Sequence, residues 1–325
     1  MRALVTGGGG FIGSHLAERL LELGHEVRVL DNFATGRRSN ITVLGSEIEL
    51  VEGDIQSYER ASKAVAGCEV VFHQAALPSV PRSVQDPLTS NATNVIGTLN
   101  VLLAARDHGT RRVVCASSSS VYGPGGGTQP KREDQPTGPI SPYATAKLAG
   151  EGYARSFHGV YDLETVCLRY FNVFGPRQDP NSQYAAVIPN FISALLDGRR
   201  PVIFGDGEQS RDFSYVGNVV QANLLAMDAP EAPGRVYNIA CGERITLNAL
   251  VGALQELLGT DLAPIHALPR PGDIRHSLAD LSRARAELGY EPGVRFREGL
   301  ELTIEHLREE RAAGRAAELG RVHAG

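Results

Sequence analysis

The chain opens with a short apolar segment, a run of glycines and an amphipathic segment, and this order constrains the fold more than any other feature. Residues 2–6 predict a buried strand, and Gly7, Gly10 and Gly13 fit the spacing Gly-x-x-Gly-x-x-Gly. The first two glycines allow a tight turn that approaches a pyrophosphate at a helix N-terminus, and the third allows helix and strand to pack closely. The spacing predicts a dinucleotide site, with Phe11 and Ile12 beside the turn.

An acidic residue follows the second predicted strand. That strand covers 26–31 and ends on Asp31, about twenty residues after the glycines, where an acid can bind the adenosine ribose and repel a 2′-phosphate. The sequence therefore favours NAD over NADP. Asp54, after the third strand, is predicted either to meet the adenine amine or to cap the next helix. The other residues assigned to the cofactor are Asn32, Ile55, Ala75, Ala76 and Asn94.

The first half of the chain alternates strands with helices. The predicted strands cover 2–6, 26–31, 48–52, 69–73, 112–116 and 164–169. This alternation predicts an α/β fold, a doubly wound parallel Rossmann sheet with helices on both faces. Past residue 172 glycine and proline become frequent and the strands become short, which predicts a smaller, interleaved C-terminal substrate-binding domain.

We expect the NAD-binding domain to cover 1–172, with a returning segment near 212–240 that holds a helix over 216–227 and a strand over 236–240. The substrate-binding domain then covers 173–211 and 241–310, and residues 311–325 form a helical tail. A ligand would lie between the two domains, above the carboxyl ends of the strands.

Composition excludes several classes of function. The 32 basic and 37 acidic residues give a net charge of −5 without long charged runs, so no nucleic-acid or anionic-membrane surface is indicated. No apolar run approaches the ~18 residues of a membrane span, and the first strand leaves no room for a signal peptide. The four cysteines are scattered and no histidine spacing indicates a metal. We therefore expect a cytoplasmic protein without a metal.

Tyr143 and Lys147 lie four residues apart and share one face of a helix. An ammonium beside a phenol favours the phenolate, so we expect Lys147 to lower the pKa of Tyr143 from its usual value of about 10. Such a tyrosine can take a proton from a substrate hydroxyl, and Ser118, at the end of an apolar strand, could hydrogen-bond the same hydroxyl. This spacing occurs on many surface helices, and it gains weight from the N-terminal dinucleotide motif.

These motifs, with the segments 168–172 (LRYFN) and 270–273 (RPGD), resemble those of the extended short-chain dehydrogenase/reductases, and most closely the UDP-hexose 4-epimerases. The resemblance covers the chain to about residue 310. The segments 74–83 and 177–181 resemble the branch that acts on UDP-N-acetylglucosamine. The resemblance implies NAD-dependent C4 epimerisation of a UDP-hexose, UDP-glucose/UDP-galactose and also the N-acetylated pair, through a 4-keto sugar and transient NADH.

The same resemblance implies that Tyr143 is the base, that Lys147 contacts the nicotinamide ribose and that Ser118 contacts the sugar 4-hydroxyl. The residues it places around the UDP-sugar are Ser79, Arg82, Ser118, Asn172, Gln178, Ile188, Arg211, Arg270, Asp273 and Ser277. Guanidinium groups match phosphate oxygens, which suits Arg211 and Arg270 to the diphosphate. Ser277 stands where strict UDP-glucose epimerases carry a tyrosine, so it either opens space for a 2-acetamido group or merely begins the next turn.

Other activities of the same fold must be weighed. Nucleotide-sugar dehydratases place an Asp-Glu pair where this chain has Ser119 and Ser120, which argues against dehydration. A UDP-glucuronate 4-epimerase remains open. A non-catalytic NAD sensor is the alternative from another class, and the retained Tyr143 and Lys147 argue against it. Two long amphipathic helices, 88–107 and 141–157, suggest a homodimer with a four-helix interface.

Overall fold

The computed structural model describes residues 1–125, 127–179, 186–269 and 274–322, with side chains described as far as residue 313. The strands in these ranges are β1 Arg2–Thr6, β2 Glu26–Asp31, β3 Ile48–Glu52, β4 Val70–His73, β5 Arg112–Ser118, β6 Glu164–Tyr170, β7 Val173–Phe174, β8 Val202–Phe204, β9 Ser210–Arg211, β10 Ser214–Tyr215, β11 Val236–Ile239, β12 Ile245–Thr246 and β13 Ile265–Ala267. The α-helices are α1 Phe11–Glu22, α2 Arg38–Thr42, α3 Tyr58–Val65, α4 Val80–Gln85, α5 Pro87–Asn91, α6 Gly97–Asp107, α7 Pro142–Tyr161, α8 Val187–Leu196, α9 Val216–Asp228, α10 Leu247–Leu258 and α11 Phe296–Val322.

Seven strands form one parallel sheet in the order β11-β6-β5-β4-β1-β2-β3. The strand order reverses between β1 and β4, which is the switch point where doubly wound sheets bind ligands. This topology confirms the predicted Rossmann sheet.

Both faces of the sheet are buried, which explains why its strands read as nearly continuous apolar runs. On one face Val5 of β1 packs in a core with Leu16 of α1 and Val219 of α9. On the opposite face Leu4 packs in a second core with Ala61 of α3 and Phe157 of α7. Successive residues of one strand thus point to opposite cores.

The predicted strand positions agree closely with the structure, and the predicted helices agree less well. Strands β5 and β6 extend further than predicted, to Ser118 and Tyr170. The helix predicted over 88–107 is divided: α5 and α6 are joined by a π-helical turn over Ala92–Ile96, in which the Gly97 amide bonds back to the Ala92 carbonyl. Such turns insert one extra residue and rotate the side chains that follow.

A smaller third core lies beyond the main sheet, around Phe174, Ile188, Leu250 and Leu300. Three two-stranded sheets accompany it, β7 with β10, β8 with β13 and β9 with β12. Between these elements the chain returns to the main sheet, because β11 pairs with β6. The predicted domain boundaries themselves stay predictions. In the described ranges no helix combines the length and apolar character needed to cross a bilayer.

Two helical glycines give a matched test of the packing at the first turn. A Cβ on Gly13 would lie 2.2 Å from the Gly7 carbonyl oxygen, whereas a Cβ on Gly252 of α10 would meet nothing within 4 Å. We expect Gly13→Ala to lower the free energy of unfolding by about 3 kcal/mol or more, because backbone must move. Gly252→Ala should raise it by up to about 1 kcal/mol through helix propensity. Urea unfolding of both variants checks this, and similar effects would contradict the close contact.

Candidate active site

The turn between β1 and α1 is shaped by glycines. Gly7 has a φ of 70°, in the left-handed region, and a Cβ there would lie 2.7 Å from backbone atoms of Ala75. Gly10 caps α1 and its N–H donates to the Gly7 carbonyl at 3.0 Å. No described side chain caps this helix end and its first turn holds no acidic residue. The free N–H groups and the helix dipole therefore suit an anion such as a pyrophosphate.

Asp31 is fixed at the carboxyl end of β2, beside this turn. Its Oδ2 accepts from the Gly9 amide at 2.8 Å and its Oδ1 from the Phe33 amide at 2.7 Å. Burial raises the pKa of the Asp31 carboxyl above its ordinary value, and the two backbone bonds oppose this rise. The carboxylate is thus fixed beside the glycine turn, and its contact with an adenosine ribose stays a prediction.

Asn32 and Asp54 form a polar pair next to Asp31, with Asn32 Nδ2 donating to Asp54 Oδ2 at 2.8 Å. The alternative in which Asp54 caps the next helix is wrong, because Ser57 caps α3. Asp54 therefore stays a candidate for the adenine amine. The Ile55 side chain is packed in the core, where a Cβ on Gly97 would lie 2.5 Å from it, and the contact of this residue with a cofactor stays a prediction.

A hydrogen-bond chain that the sequence did not reveal fixes the backbone after β4. Thr98 Oγ1 donates to the Asn94 carbonyl at 2.8 Å, so it accepts from His73 Nε2 at 2.9 Å. His73 Nδ1 then accepts from Thr6 Oγ1 at 2.8 Å, and Thr6 Oγ1 accepts from the Ala75 amide at 3.2 Å. Burial lowers the pKa of His73 to about 3, which keeps the ring neutral and this proton order fixed.

Asn94 holds the same stretch from a second side. Its Oδ1 accepts from the Leu77 amide at 2.8 Å and its Nδ2 donates to the Leu77 carbonyl at 3.2 Å. Because both ends of the amide contact Leu77, Asn94 holds the backbone that follows Ala75 and Ala76. The contact with the cofactor that the sequence assigns to Asn94 stays a prediction.

Ser118, Tyr143 and Lys147 are brought together where β5 ends and α7 begins. Ser118 is the last residue of β5, and α7 packs against that strand. The side chain of Ser141 caps α7 and Ser83 Oγ accepts from the Tyr143 amide at 3.0 Å. Lys147 Nζ donates to the Ala116 carbonyl at 2.9 Å. Tyr143 and Lys147 thus share the face of α7 that the sequence predicts.

The sequence predicts that Lys147 lowers the pKa of Tyr143, and the surroundings that this chain itself provides have the opposite effect. Burial raises the pKa of Tyr143 above its ordinary value, and a hydrogen bond from Ser118 is what opposes this rise. Burial also lowers the pKa of Lys147 to about 8. Desolvation, which depends on the tertiary fold, therefore outweighs the charge attraction that spacing suggests. Among the groups of this chain, ionisation of the phenol is therefore disfavoured by burial and favoured by the hydrogen bond from Ser118.

A buried ion pair behind Lys147 was not predicted. Arg169 donates to both carboxylate oxygens of Glu151, at 2.8 and 2.7 Å, and Ser117 Oγ donates to Glu151 at 2.5 Å. The guanidinium lies over the Tyr122 ring, 4.6 Å from its centre. Glu151 follows Lys147 by one turn of α7 and opposes the fall in the lysine pKa. The four-residue spacing of Lys147 and Glu151 is the one feature of the sequence that could have indicated an acidic residue near the lysine.

Several residues predicted to bind substrate gather around β9. Arg211 Nη1 donates to the Ser210 carbonyl at 2.9 Å, and the Ser277 amide donates to the same carbonyl at 3.1 Å. Asn172 Nδ2 donates to the Asp212 carbonyl at 3.2 Å. A cavity of about 670 Å³ opens nearby, lined by residues that include Phe204, Gly205, Asp206, Gln209, His266 and Arg275.

Asp212 is the residue in this region that the sequence did not single out. Its fully buried carboxylate accepts from the amides of Cys241, Gly242 and Ala279 at 3.0 to 3.2 Å. Burial raises the pKa of Asp212 to about 7. One acid therefore ties the loop after β11 to the segment that carries Ser277.

Other assignments fare differently. The Ile188 side chain is fully buried and packs in the third core, and its contact with a substrate stays a prediction. Ser79 caps α4, its hydroxyl accepting from the Arg82 amide at 3.1 Å, and Arg82 itself is half-buried. Arg270 and Asp273 lie outside the described residues.

Comparison with known proteins gives consistent matches. A family model described as the NAD dependent epimerase/dehydratase family matches residues 3–240. A UDP-glucose 4-epimerase of Mycolicibacterium smegmatis is 42% identical over 312 residues, covering 95% of this chain and 99% of that protein. A UDP-N-acetylglucosamine 4-epimerase of Methanobrevibacter ruminantium M1, solved with UDP-N-acetylmuramic acid, is 40% identical, with a TM-score of 0.91 and coverage of 95% and 98%. A UDP-glucose 4-epimerase of Thermotoga maritima, solved with UDP-glucose, is 40% identical, with a TM-score of 0.91 and coverage of 95% and 99%.

The buried ion pair provides a stability test. Glu151→Gln leaves the Arg169 charge buried without its partner, and we expect it to lower the free energy of unfolding by about 3–5 kcal/mol. Glu22→Gln is the matched control, because Glu22 pairs with Arg19 at 2.7 Å on the exposed side of α1. That change should cost less than about 1 kcal/mol. Denaturant unfolding measures both, and equal losses would contradict the role given to burial.

Proposed function

The chain belongs to the NAD-dependent epimerase/dehydratase family, and from its site we propose that it interconverts the C4 epimers of a UDP-hexose, with NAD as its cofactor. The observation that carries the proposal is the placement of Ser118, Tyr143 and Lys147 at the end of β5, on the edge of the sheet where the glycine turn lies. The 4-epimerase relatives, which this chain matches over nearly its whole length, support the same reaction.

The residues around the turn between β1 and α1 fit NAD. A Cβ on Gly7 or Gly13 would fill the space in which the turn folds against backbone, and the open end of α1 suits the pyrophosphate. The buried carboxylate of Asp31 suits two ribose hydroxyls and would repel a 2′-phosphate. When bound, the cofactor supplies a hydride acceptor that can also return the hydride.

The side chains of this chain then handle the proton and the position of the sugar. In its phenolate form Tyr143 takes the proton of the 4-hydroxyl as the carbon is oxidised, and gives it back when the ketone is reduced from the opposite face. Ser118 donates toward the phenol oxygen and so favours the phenolate. Lys147, charged below a pKa of about 8, places a positive charge one turn away on the same face of α7. Arg211 would hold the diphosphate while the hexose turns.

Dehydration is disfavoured by the residues that follow Ser118. Ser119 and Ser120 occupy the positions where dehydratases carry an acidic pair, and hydroxyl groups cannot supply that acid and base at neutral pH. Ser120 instead donates to Ser118 Oγ at 2.9 Å, which orients the hydroxyl that faces the phenol. The site is therefore arranged for oxidation and reduction at one carbon.

Ser118→Ala tests the acid–base assignment through the pH profile. The change removes the hydrogen bond that lowers the pKa of Tyr143, so the pKa rises and the base needs a higher pH to lose its proton. We expect the acid limb of kcat/KM to move to higher pH, and the rate at neutral pH to fall about 10²-fold. Ser119→Ala is the control and should leave the limb in place. An unmoved limb in Ser118→Ala would contradict the assignment.

The sugar accepted is proposed from Ser277. Its backbone is fixed between the Ser210 carbonyl and the segment that Asp212 holds, so a larger side chain there could not move away freely. A serine leaves room for a 2-acetamido group. We therefore propose that UDP-N-acetylglucosamine and UDP-N-acetylgalactosamine are substrates beside UDP-glucose and UDP-galactose.

Separate incubation with UDP-glucose, UDP-N-acetylglucosamine and UDP-glucuronate, followed by chromatographic resolution of C4 epimers, tests both the function and the sugar choice. We expect the first two to be converted, and conversion of UDP-glucuronate alone would favour the alternative activity. Ser277→Tyr should lower turnover of UDP-N-acetylglucosamine about 10-fold or more while sparing UDP-glucose. Equal loss on both substrates would contradict the role of Ser277.

We also propose that the protein is a cytoplasmic homodimer. Val80 and Val84 of α4 and Leu88 of α5 are 41%, 64% and 82% exposed, and these two short helices pack against each other and against α7. A neighbouring group of exposed apolar side chains suits a partner copy, as the predicted four-helix interface requires. The four cysteines are free and buried, which suits a reducing compartment.

Leu88→Glu tests the interface, because it places a charge in the middle of this apolar group. We expect the wild type to elute as a dimer in light-scattering chromatography and Leu88→Glu to elute as a monomer. Val43→Glu, at a 68% exposed position after α2, is the control and should leave the dimer intact. A monomeric wild type, or a dimeric Leu88→Glu, would contradict the interface.

A further inference from the structure

The segment from Asn172 to Gln178 has an unusually strained backbone. In the described part of the chain four non-glycine residues have a positive φ, and two of them lie here: Asn172 at 32° and Arg177 at 65°. Gly175, between them, has a φ of 153°. For residues that carry a Cβ, such as Asn172 and Arg177, this conformation is strained and persists only where surrounding contacts impose it. Something must therefore hold this segment.

The contacts that hold it come from α1, the helix whose N-terminus forms the dinucleotide turn. Arg177 Nη2 donates to both carboxylate oxygens of Glu18 at 2.9 Å. The arginine side chain is 15% exposed, so this pair is shielded more than a typical surface pair. His15 Nε2 donates to the Pro176 carbonyl at 2.9 Å, and burial lowers the His15 pKa to about 4, which keeps the ring neutral. Two side chains of α1, one turn apart, thus hold two consecutive residues.

The strained turn presents Gln178 and Asn172, which are both assigned to the sugar site. Gln178 Nε2 donates to the Val173 carbonyl at 3.2 Å, and this bond fixes the amide. Its Oε1 is buried and accepts no hydrogen bond within the described residues. A buried acceptor without a partner suits an N–H or O–H donor of a ligand.

We propose that Arg177 is a positioning residue for the sugar, which it serves by fixing the Asn172–Gln178 segment on the nucleotide-binding helix through Glu18. The inference rests on the proposed function and extends it to a residue whose side chain contacts α1. Arg177 touches neither cofactor nor sugar in this account. It sets the distance between the helix that holds the pyrophosphate and the turn that carries Gln178.

The test compares binding of UDP with binding of UDP-N-acetylglucosamine and UDP-glucose, by calorimetry on NAD-loaded protein. We expect Arg177→Ala and Glu18→Gln to raise the Kd of both UDP-sugars about 10-fold and to leave the Kd of UDP and the retention of NAD unchanged. In the assay KM should rise while kcat changes little. The double variant should be no worse than Arg177→Ala, because each side chain acts through the other. Arg19→Ala, on the exposed pair of α1, is the control and should change none of these values.

The outcomes separate the two claims. A wild type that binds UDP but no UDP-sugar would overturn the proposed function. A wild type that binds UDP-sugars, with variants that bind them equally well, would overturn the positioning role. Equally weakened binding of UDP and of UDP-sugars would also overturn it. Such a result would indicate a general loss of structure, whereas a positioning role affects the binding of the sugar alone. Arg177→Gly relieves the positive φ and still removes the ion pair, so it should show the same selective loss.

Discussion

The structure depends on a place where backbone meets backbone. Gly7 turns in a left-handed conformation against Ala75, and Gly13 packs α1 against the Gly7 carbonyl, at the point where the strand order reverses. Only the absence of a Cβ permits both contacts, and they bring the open end of α1 and the wall after β4 together. The hydrogen-bond chain through His73 then fixes the backbone after β4. The hydrogen bond from the Leu77 amide to Asn94 fixes the same backbone a few residues further on.

The second constraint is burial on one face of α7. Tyr143, Lys147 and Glu151 succeed one another at single-turn spacing, and all three lie against the sheet. Burial raises the pKa of the phenol and lowers that of the ammonium, because desolvation disfavours the charged form of each group. The hydrogen bond from Ser118 favours the phenolate, and the Glu151 carboxylate favours the ammonium. Proton transfer at the phenol therefore depends on neighbours that the fold must hold in place.

The sequence predicted features that depend on local spacing. The glycine turn, the six strands of the first half and the shared face of Tyr143 and Lys147 follow from periodicity within a few residues, and the structure has them. Effects of distant residues were not predictable in this way. Burial reversed the expected pKa shift of Tyr143, tertiary packing buried the Ile188 side chain, and Asp212 and His73 gain their contacts only when remote segments meet. The π-helical turn between α5 and α6 likewise has no local signal.

The central claim, that Tyr143 moves the proton while the C4 hydrogen never leaves the site, is tested most directly with a UDP-sugar deuterated at C4. The account predicts that the wild type converts it to the C4 epimer with the label retained, and that Tyr143→Phe keeps its NAD but stops the conversion. Loss of the label to water, or full conversion by Tyr143→Phe, would contradict it.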